Sequence, residues 1–197
     1  MATPTRTLTL ADVAIPRPGL LHHLLLIAGA SVVTALAARL ALPLPWSPVP
    51  VTGQTFAVLL TGAVLGARRG ALAQAFYLAQ GAIGLPVFAG GVGGAAVFAG
   101  PTAGYLLAFP LAAFVTGALA ERGWDRRFGT MVAAMLLGSA VIFALGLAVL
   151  AAFVPRSGLL AAGLVPFVPG DLVKSSLAAL AFPRLWGFAR RRDGKDA

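Results

Sequence analysis

No cysteine occurs anywhere in the 197 residues, so disulfides and thiolate metal sites are excluded. Charge is scarce: 11% of residues are Asp, Glu, Lys or Arg, against about 25% in an average soluble domain. Acids are scarcest, six against fifteen Lys and Arg, leaving a net charge of +9. With those six acids and two histidines, an enzyme that needs several converging acids, histidines or metal ligands has little to draw on. No G-x-x-x-x-G-K-[ST] run is present, which argues against a P-loop nucleotide site. What fills the chain instead is apolar: 59% hydrophobic residues and a mean hydropathy of +0.90. A soluble fold of this length has no room to hide so much apolar surface, so the solvent implied is lipid.

The apolar residues fall into about six runs, read against the ~20 residues needed to cross a bilayer. They are Leu20–Leu42, Thr55–Ala67, Gly70–Leu85, Gly104–Ala120, Met131–Val154 and Leu172–Phe188, the second and third being short. The expected fold is an all-α integral membrane protein of about six transmembrane helices, one membrane domain over 1–197. Residues 1–19 form a retained N-terminal cytoplasmic segment, since they lack the basic start, apolar core and cleavage site of a signal peptide. Residues 189–197 form a basic cytoplasmic tail with Arg190, Arg191, Arg192 and Lys195.

Arginine sets the expected orientation. Arg68 and Arg69 lie between runs two and three, and Arg122, Arg126 and Arg127 between four and five. All of these share a side with the tail, while Arg39 and Arg156 lie near the opposite loops. The positive-inside rule then places both termini in the cytoplasm, in a prokaryotic plasma membrane, with residues 87–103 and 157–168 outside. The basic tail also suits anionic lipid. The clustering of positive charge at run ends explains the net charge without a nucleic-acid partner.

Three uncharged or nearly uncharged stretches on that outer side break the helical pattern. "VFAGGVGGAAVFAGPTAGY" (87–105) is rich in glycine, and no charge occurs from Gly70 to Ala120. Irregular backbone at membrane depth is tolerated only where it is buried in protein or lines a cavity. Gly90, Gly91 and Gly94 therefore belong either to a ligand-lining loop or to a tight connector packed on helix ends. "LPLPWSPVPVTGQT" (42–55) has four prolines that forbid a helix interior, followed by Thr52 and Gln54 as neutral hydrogen-bonding groups. Trp46 fits an interfacial anchor or a stacking platform. "PFVPGDLVKSSLA" (166–178) reads as a helix start with Asp171 near the positive end of the dipole and Lys174 three residues on. The pair is either a cap with an internal ion pair or a ligand site, since ionisable groups within a membrane run are functional candidates. A stripe of small residues on the first run, Ser31, Ala35 and Ala38, suits close helix–helix approach, either to a partner or within the chain.

"SPVPVTGQTFAVLLTGAVLGARRGALAQAFYLAQGAIGLPVFAGG", then "GPTAGYLLAFP" and "PGDLVK", resemble the BioY family over about residues 28–185. That family comprises the biotin-binding S components of energy-coupling-factor (ECF) vitamin transporters. The resemblance implies a six-helix membrane protein with a biotin pocket capped by outer loops. It implies no enzyme activity, no cofactor and no metal. The partners implied are biotin, a membrane coupling subunit, two ATPase subunits and lipid; self-association is left open. A stand-alone biotin transporter, or an S component for another small vitamin, is the alternative reading. Within the family frame, Asp171 and the groups around Gly90–Gly94 suit the ureido ring. Phe88, Tyr77 and Tyr105 suit the apolar body, and Lys174 suits the carboxylate or orders Asp171. Ala103 stands where the family pattern usually carries glycine; the added methyl is expected to narrow the loop while leaving biotin specificity intact.

Overall fold

A computed structural model describes residues 8–14 and 19–192, with side chains up to Phe188. Residues 1–7 and 15–18 of the N-terminal segment and Lys195 of the tail lie outside the described residues. A short helix α1 (Leu10–Ala14) precedes α2 (Leu20–Ala37). A two-stranded ribbon follows, β1 (Ala41–Leu44) and β2 (Ser47–Thr52), then α3 (Gln54–Leu65) and α4 (Ala67–Ala82). Residues 83–102 form an irregular loop with two single 3-10 turns. The chain continues through α5 (Ala103–Ala120), α6 (Phe128–Leu150), the short α7 (Leu159–Gly163) and α8 (Val168–Arg192).

Over the described residues the protein is mostly helical, with six long helices as the apolar runs imply. Four of the described segments are long and apolar enough to cross a membrane: 20–37, 103–120, 128–150 and 156–188. At ~1.5 Å per residue, α3 and α4 fall short of the ~30 Å hydrocarbon core. Many large apolar side chains face outward, among them Leu24 and Leu25 on α2, Leu107 and Leu111 on α5, and Leu177 on α8. In lipid such surface needs no cover. The interior is built around α5, which packs on α3, α4 and α6.

Two local features differ from the sequence expectation. The first run stops at Ala37, five residues before Leu42, because the chain turns into the ribbon. Pro43 biases Leu42 toward extended backbone, and the four prolines are tolerated because a two-stranded ribbon leaves outward N–H positions unused. The register pairs Ala41 with Thr52, Leu42 with Val51 and Leu44 with Ser47, so the extra residues of the irregularity lie on β2, at 48–50, opposite Pro43. The second difference is that Arg68 and Arg69 do not sit in a loop. Only Gly66 (φ +84°) separates α3 from α4, and both arginines lie in the first turn of α4. Gly62 and Gly70 let the two helices meet: a Cβ on Gly70 would stand 2.8 Å from the Gly62 Cα.

The helices create two contrasting ends. One, the loop pole, holds the ribbon, the 83–102 loop, α7 and the start of α8. The other, the arginine pole, is knit by charge. Arg69 meets Asp12 at 2.6 Å and Thr9 Oγ1 at 3.1 Å. Thr9 in turn donates N–H (3.0 Å) and hydroxyl (2.7 Å) to Asp12, capping α1. Glu121 accepts the Ala67 N–H at 2.9 Å, satisfying the start of α4. Trp186 Nε1 donates to the fully buried Asp125 at 2.6 Å, and the Arg126 guanidinium lies 4.4 Å from the Trp186 ring centre.

Candidate functional site

A cavity of about 210 Å³ opens at the loop pole. Each element contributes a distinct face. Thr52, Gln54 and Thr55, from the end of β2 and the start of α3, supply neutral polar groups. The loop supplies Phe88, Ala89, Val92 and Val97, and α5 supplies Thr102 at its entry, then Tyr105 and Phe109. Phe143 of α6 and Phe167 before α8 close the apolar side. No charged side chain is among the lining residues. Such a chamber takes a small, mostly apolar ligand that carries a few neutral hydrogen-bonding groups.

Two tyrosines hold the walls. Tyr77 is fully buried behind the lining; its hydroxyl accepts from Gln54 Nε2 at 2.5 Å and donates to the Val87 carbonyl at 2.9 Å. It thereby ties α3, α4 and the loop together. The Phe88 ring meets Tyr77 and Phe98 edge-on, at 5.5 and 5.7 Å between centroids. Gly81 makes that placement possible, because a Cβ there would stand 1.9 Å from Phe88 Cζ. Tyr105 donates to the Gly163 carbonyl at 2.9 Å, fixing α7 over α5.

The loop's glycines serve the backbone. Gly90 and Gly91 both have φ +74°, and Gly94 has φ +103°, left-handed conformations that side chains disfavour. These angles fold the chain so that Phe88 N–H reaches the Val92 carbonyl (3.0 Å) and Gly94 N–H reaches Gly81 (2.7 Å). Gly90, Gly91 and Gly94 themselves are not lining residues; Ala89 and Val92, between and beside them, are. Both bonds join backbone to backbone, without charge.

Asp171 and Lys174 stand behind the polar wall. Lys174 Nζ donates to the Thr52 carbonyl at 3.0 Å and to Thr55 Oγ1 at 3.4 Å, and lies 4.0 Å from Asp171 Oδ1. Asp171 is 6% exposed, and its Oδ2 has no hydrogen-bond partner among the described residues. Ser139 of α6 lies beside it, likewise buried, with its hydroxyl within reach of the carboxylate. A buried carboxylate is costly unless it meets donors, and Ser139 and Lys174 are the ones beside it.

A family model described as the BioY family matches residues 6–191. The chain belongs to the BioY family. The biotin transporter BioY of Rhizobium etli is 43% identical over 160 residues, covering 77% of this chain and 85% of that protein. The biotin transporter BioY of Thermotoga maritima is 47% identical over 143 residues, covering 72% and 83%. A crystal structure of the S-component for biotin from an ECF-type ABC transporter superposes with a TM-score of 0.73 at 29% identity. It covers 85% of this chain and 92% of that one.

Within this BioY-family chain, Thr52, Gln54, Phe88 and Tyr105 line one cavity, with Tyr77, Lys174 and Asp171 behind or beside its walls. Sequence reasoning missed Val97, Phe109, Phe143 and Phe167, apolar positions that look like ordinary core until the helices are assembled, and Thr102, which reads as an ordinary helix start. Ala103 is buried at the first turn of α5 and is not a lining residue, so its methyl does not narrow the chamber. The small stripe on α2 needs correction as an exposed docking face. Ser31 and Ala38 are fully buried, with Thr34 between them bonded to Gln74 Nε2 at 3.1 Å, and Ala35 is half-buried. The outward face of α2 carries Leu24, Leu25, Val32, Val33 and Leu36 instead. Small size permits close approach, and here it serves packing on α4.

Proposed function

We propose that this protein is the biotin-binding S component of an ECF-type transporter, taking biotin into the loop-pole cavity for delivery to the cytoplasm. The observation that carries the reading is the chamber itself: aromatic walls and a rim of neutral threonines and Gln54, with Lys174 on the Thr52 carbonyl and Asp171 4.0 Å from Lys174 behind that rim. That pattern matches a bicyclic ligand with a planar ureido ring and an apolar body. Thr52, Gln54 and Asp171 offer acceptors and donors to the ureido ring. Phe88 and Tyr105 flank the apolar body, and Tyr77 keeps Gln54 and the loop in place. Lys174 holds the Thr52–Thr55 turn and orders Asp171. The names and substrates of the relatives support biotin over other vitamins.

In this reading the chain supplies recognition, and separate coupling and ATPase subunits supply the energy. The arginine pole faces the cytoplasm and the loop pole the outside, as the arginine asymmetry favours. Cysteines placed at Ala95 and at Arg127 report this. An impermeant thiol reagent added to intact cells should label the first and spare the second; the reverse pattern inverts the orientation.

The binding test uses the purified full-length protein and labelled biotin. A saturable isotherm is expected, weakened about tenfold or more in Asp171→Asn, the scale of one charge-assisted hydrogen bond. Absence of saturable binding by the folded wild type removes the biotin reading. Unchanged affinity in folded Asp171→Asn removes Asp171 from the site.

A further inference from the structure

The cavity's loop wall, residues 83–102, carries no charge of its own. Among the described residues one charged side chain bonds to it: Arg39, just past the end of α2. Its Nη2 donates to the Pro86 carbonyl at 2.7 Å. Its Nη1 lies against Gly91, where a Cβ would stand 2.7 Å away. Gly91 thus serves twice, allowing φ +74° and leaving room for the guanidinium. The same turn faces the cavity through Phe88, Ala89 and Val92. One side of the turn is ligand wall and the other rests against Arg39.

The other ties on this turn come from the neighbouring helix α4, which leads into the loop: Tyr77 to Val87 and Gly81 to Gly94. Arg39 alone reaches it from the α2–β1 junction, 47 residues upstream of its bond partner. The planar guanidinium fork can engage two points of backbone at once, which a lysine ammonium on a flexible stem does poorly. Its acceptor is a neutral carbonyl, so the contact resists salt better than an exposed ion pair would.

We propose that Arg39 is a positioning residue for ligand retention: it holds the 86–92 turn against the cavity, so that a bound ligand leaves slowly. The proposal rests on the biotin reading for its ligand, but not for the contact itself. Two measurements on the full-length protein keep these apart. The first is amide hydrogen exchange without ligand. In Arg39→Met, exchange over residues 86–92 should accelerate, with helices α5 and α6 unchanged. The second is biotin dissociation. Arg39→Met should release biotin about tenfold faster, the order expected for one charge-assisted hydrogen bond, with association within twofold of wild type. Arg39→Lys should recover part of the loss. Gly91→Ala attacks the contact from the loop side, and the double variant should be no worse than the more impaired single. Unaltered exchange in Arg39→Met overturns the proposal whatever biotin does. So does an effect confined to association that disappears at high salt, which would make Arg39 a steering charge. Additive losses in the double variant overturn it as well. Faster exchange in a protein that binds no biotin leaves the positioning role standing and removes the biotin reading instead.

Discussion

The two ends of this molecule solve the same problem with opposite chemistry. Both must stop helices and satisfy the backbone they leave behind. At the arginine pole the solution is charge: Asp12 with Arg69, Glu121 on the α4 start, Asp125 under Trp186. At the loop pole it is mostly neutral backbone geometry, with positive-φ glycines, tyrosine hydroxyls and a short ribbon; the charged side chains described there are Lys174, Asp171, Arg39 and Arg156. The difference follows from what each end must do. A chamber for a largely apolar ligand cannot be walled with ion pairs, because their desolvation opposes closure. An end that holds no such chamber can use charges freely. Removing close fit should therefore damage the loop pole most, whereas removing charge should be felt at the arginine pole.

The largest effect is expected from Gly81→Val. Its Cβ would stand 1.9 Å from Phe88 Cζ, and Phe88 bridges Tyr77 to the cavity. Overpacking of this kind costs about 1–3 kcal/mol, and here the strain falls on a pocket wall. Biotin affinity should drop about 10- to 100-fold, while thermal melting in detergent changes little, because Phe88 can swing into the cavity. A collapse of melting temperature with proportionate loss of affinity would mean that the loop is part of the core and not a separately yielding wall.

Much of this contrast was legible in the residues. The apolar runs gave the six long helices, and the arginine clusters mark one pole. "PGDLVK" does open α8, and the glycine stretch does wall a cavity. The failures have physical causes. The ribbon at 41–52 was hidden because prolines argue against a helix without arguing for a strand pair. The α3–α4 junction was drawn too wide, because a pair of arginines looks like a loop when one glycine is enough to turn the chain. Ser31 and Ala38 suit either a partner or the chain's own packing, and α2, apolar all round, does not say which. In lipid, hydropathy cannot tell which face is buried. Arg39 looked like an ordinary loop charge, since its partner is 47 residues away and the bond joins a side chain to backbone.

The smallest and most diagnostic effects concern the two aspartates of the arginine pole. For Asp12, burial pushes the carboxyl up, but the Thr9 hydrogen bonds and the Arg69 guanidinium outweigh it and hold it below the usual range. For Asp125, burial dominates and pushes the carboxyl up, against the Trp186 hydrogen bond and Arg126. Linkage then gives opposite slopes. The folded state binds fewer protons at Asp12 than the unfolded chain, so that contribution is present above the ordinary value near ~3.9 and lost as pH falls through the lower folded value. The folded state binds more protons at Asp125, so stability there is greatest below ~3.9 and declines as pH rises toward the elevated folded value. Melting in detergent between about pH 3 and 7 separates them. Asp12→Asn should cost about 1 kcal/mol near neutrality, the loss of a partly exposed charge-assisted pair, and nothing at the acid end. Asp125→Asn keeps an acceptor for Trp186 and removes a buried charge. It should match wild type at the acid end and equal or exceed its melting temperature toward neutrality. Biotin affinity should stay within about twofold in both, below the tenfold that ~1.4 kcal/mol represents, because neither touches the loop pole. Parallel slopes for the two variants would show that the charges at this end act as one network rather than as one favourable pair beside one buried cost.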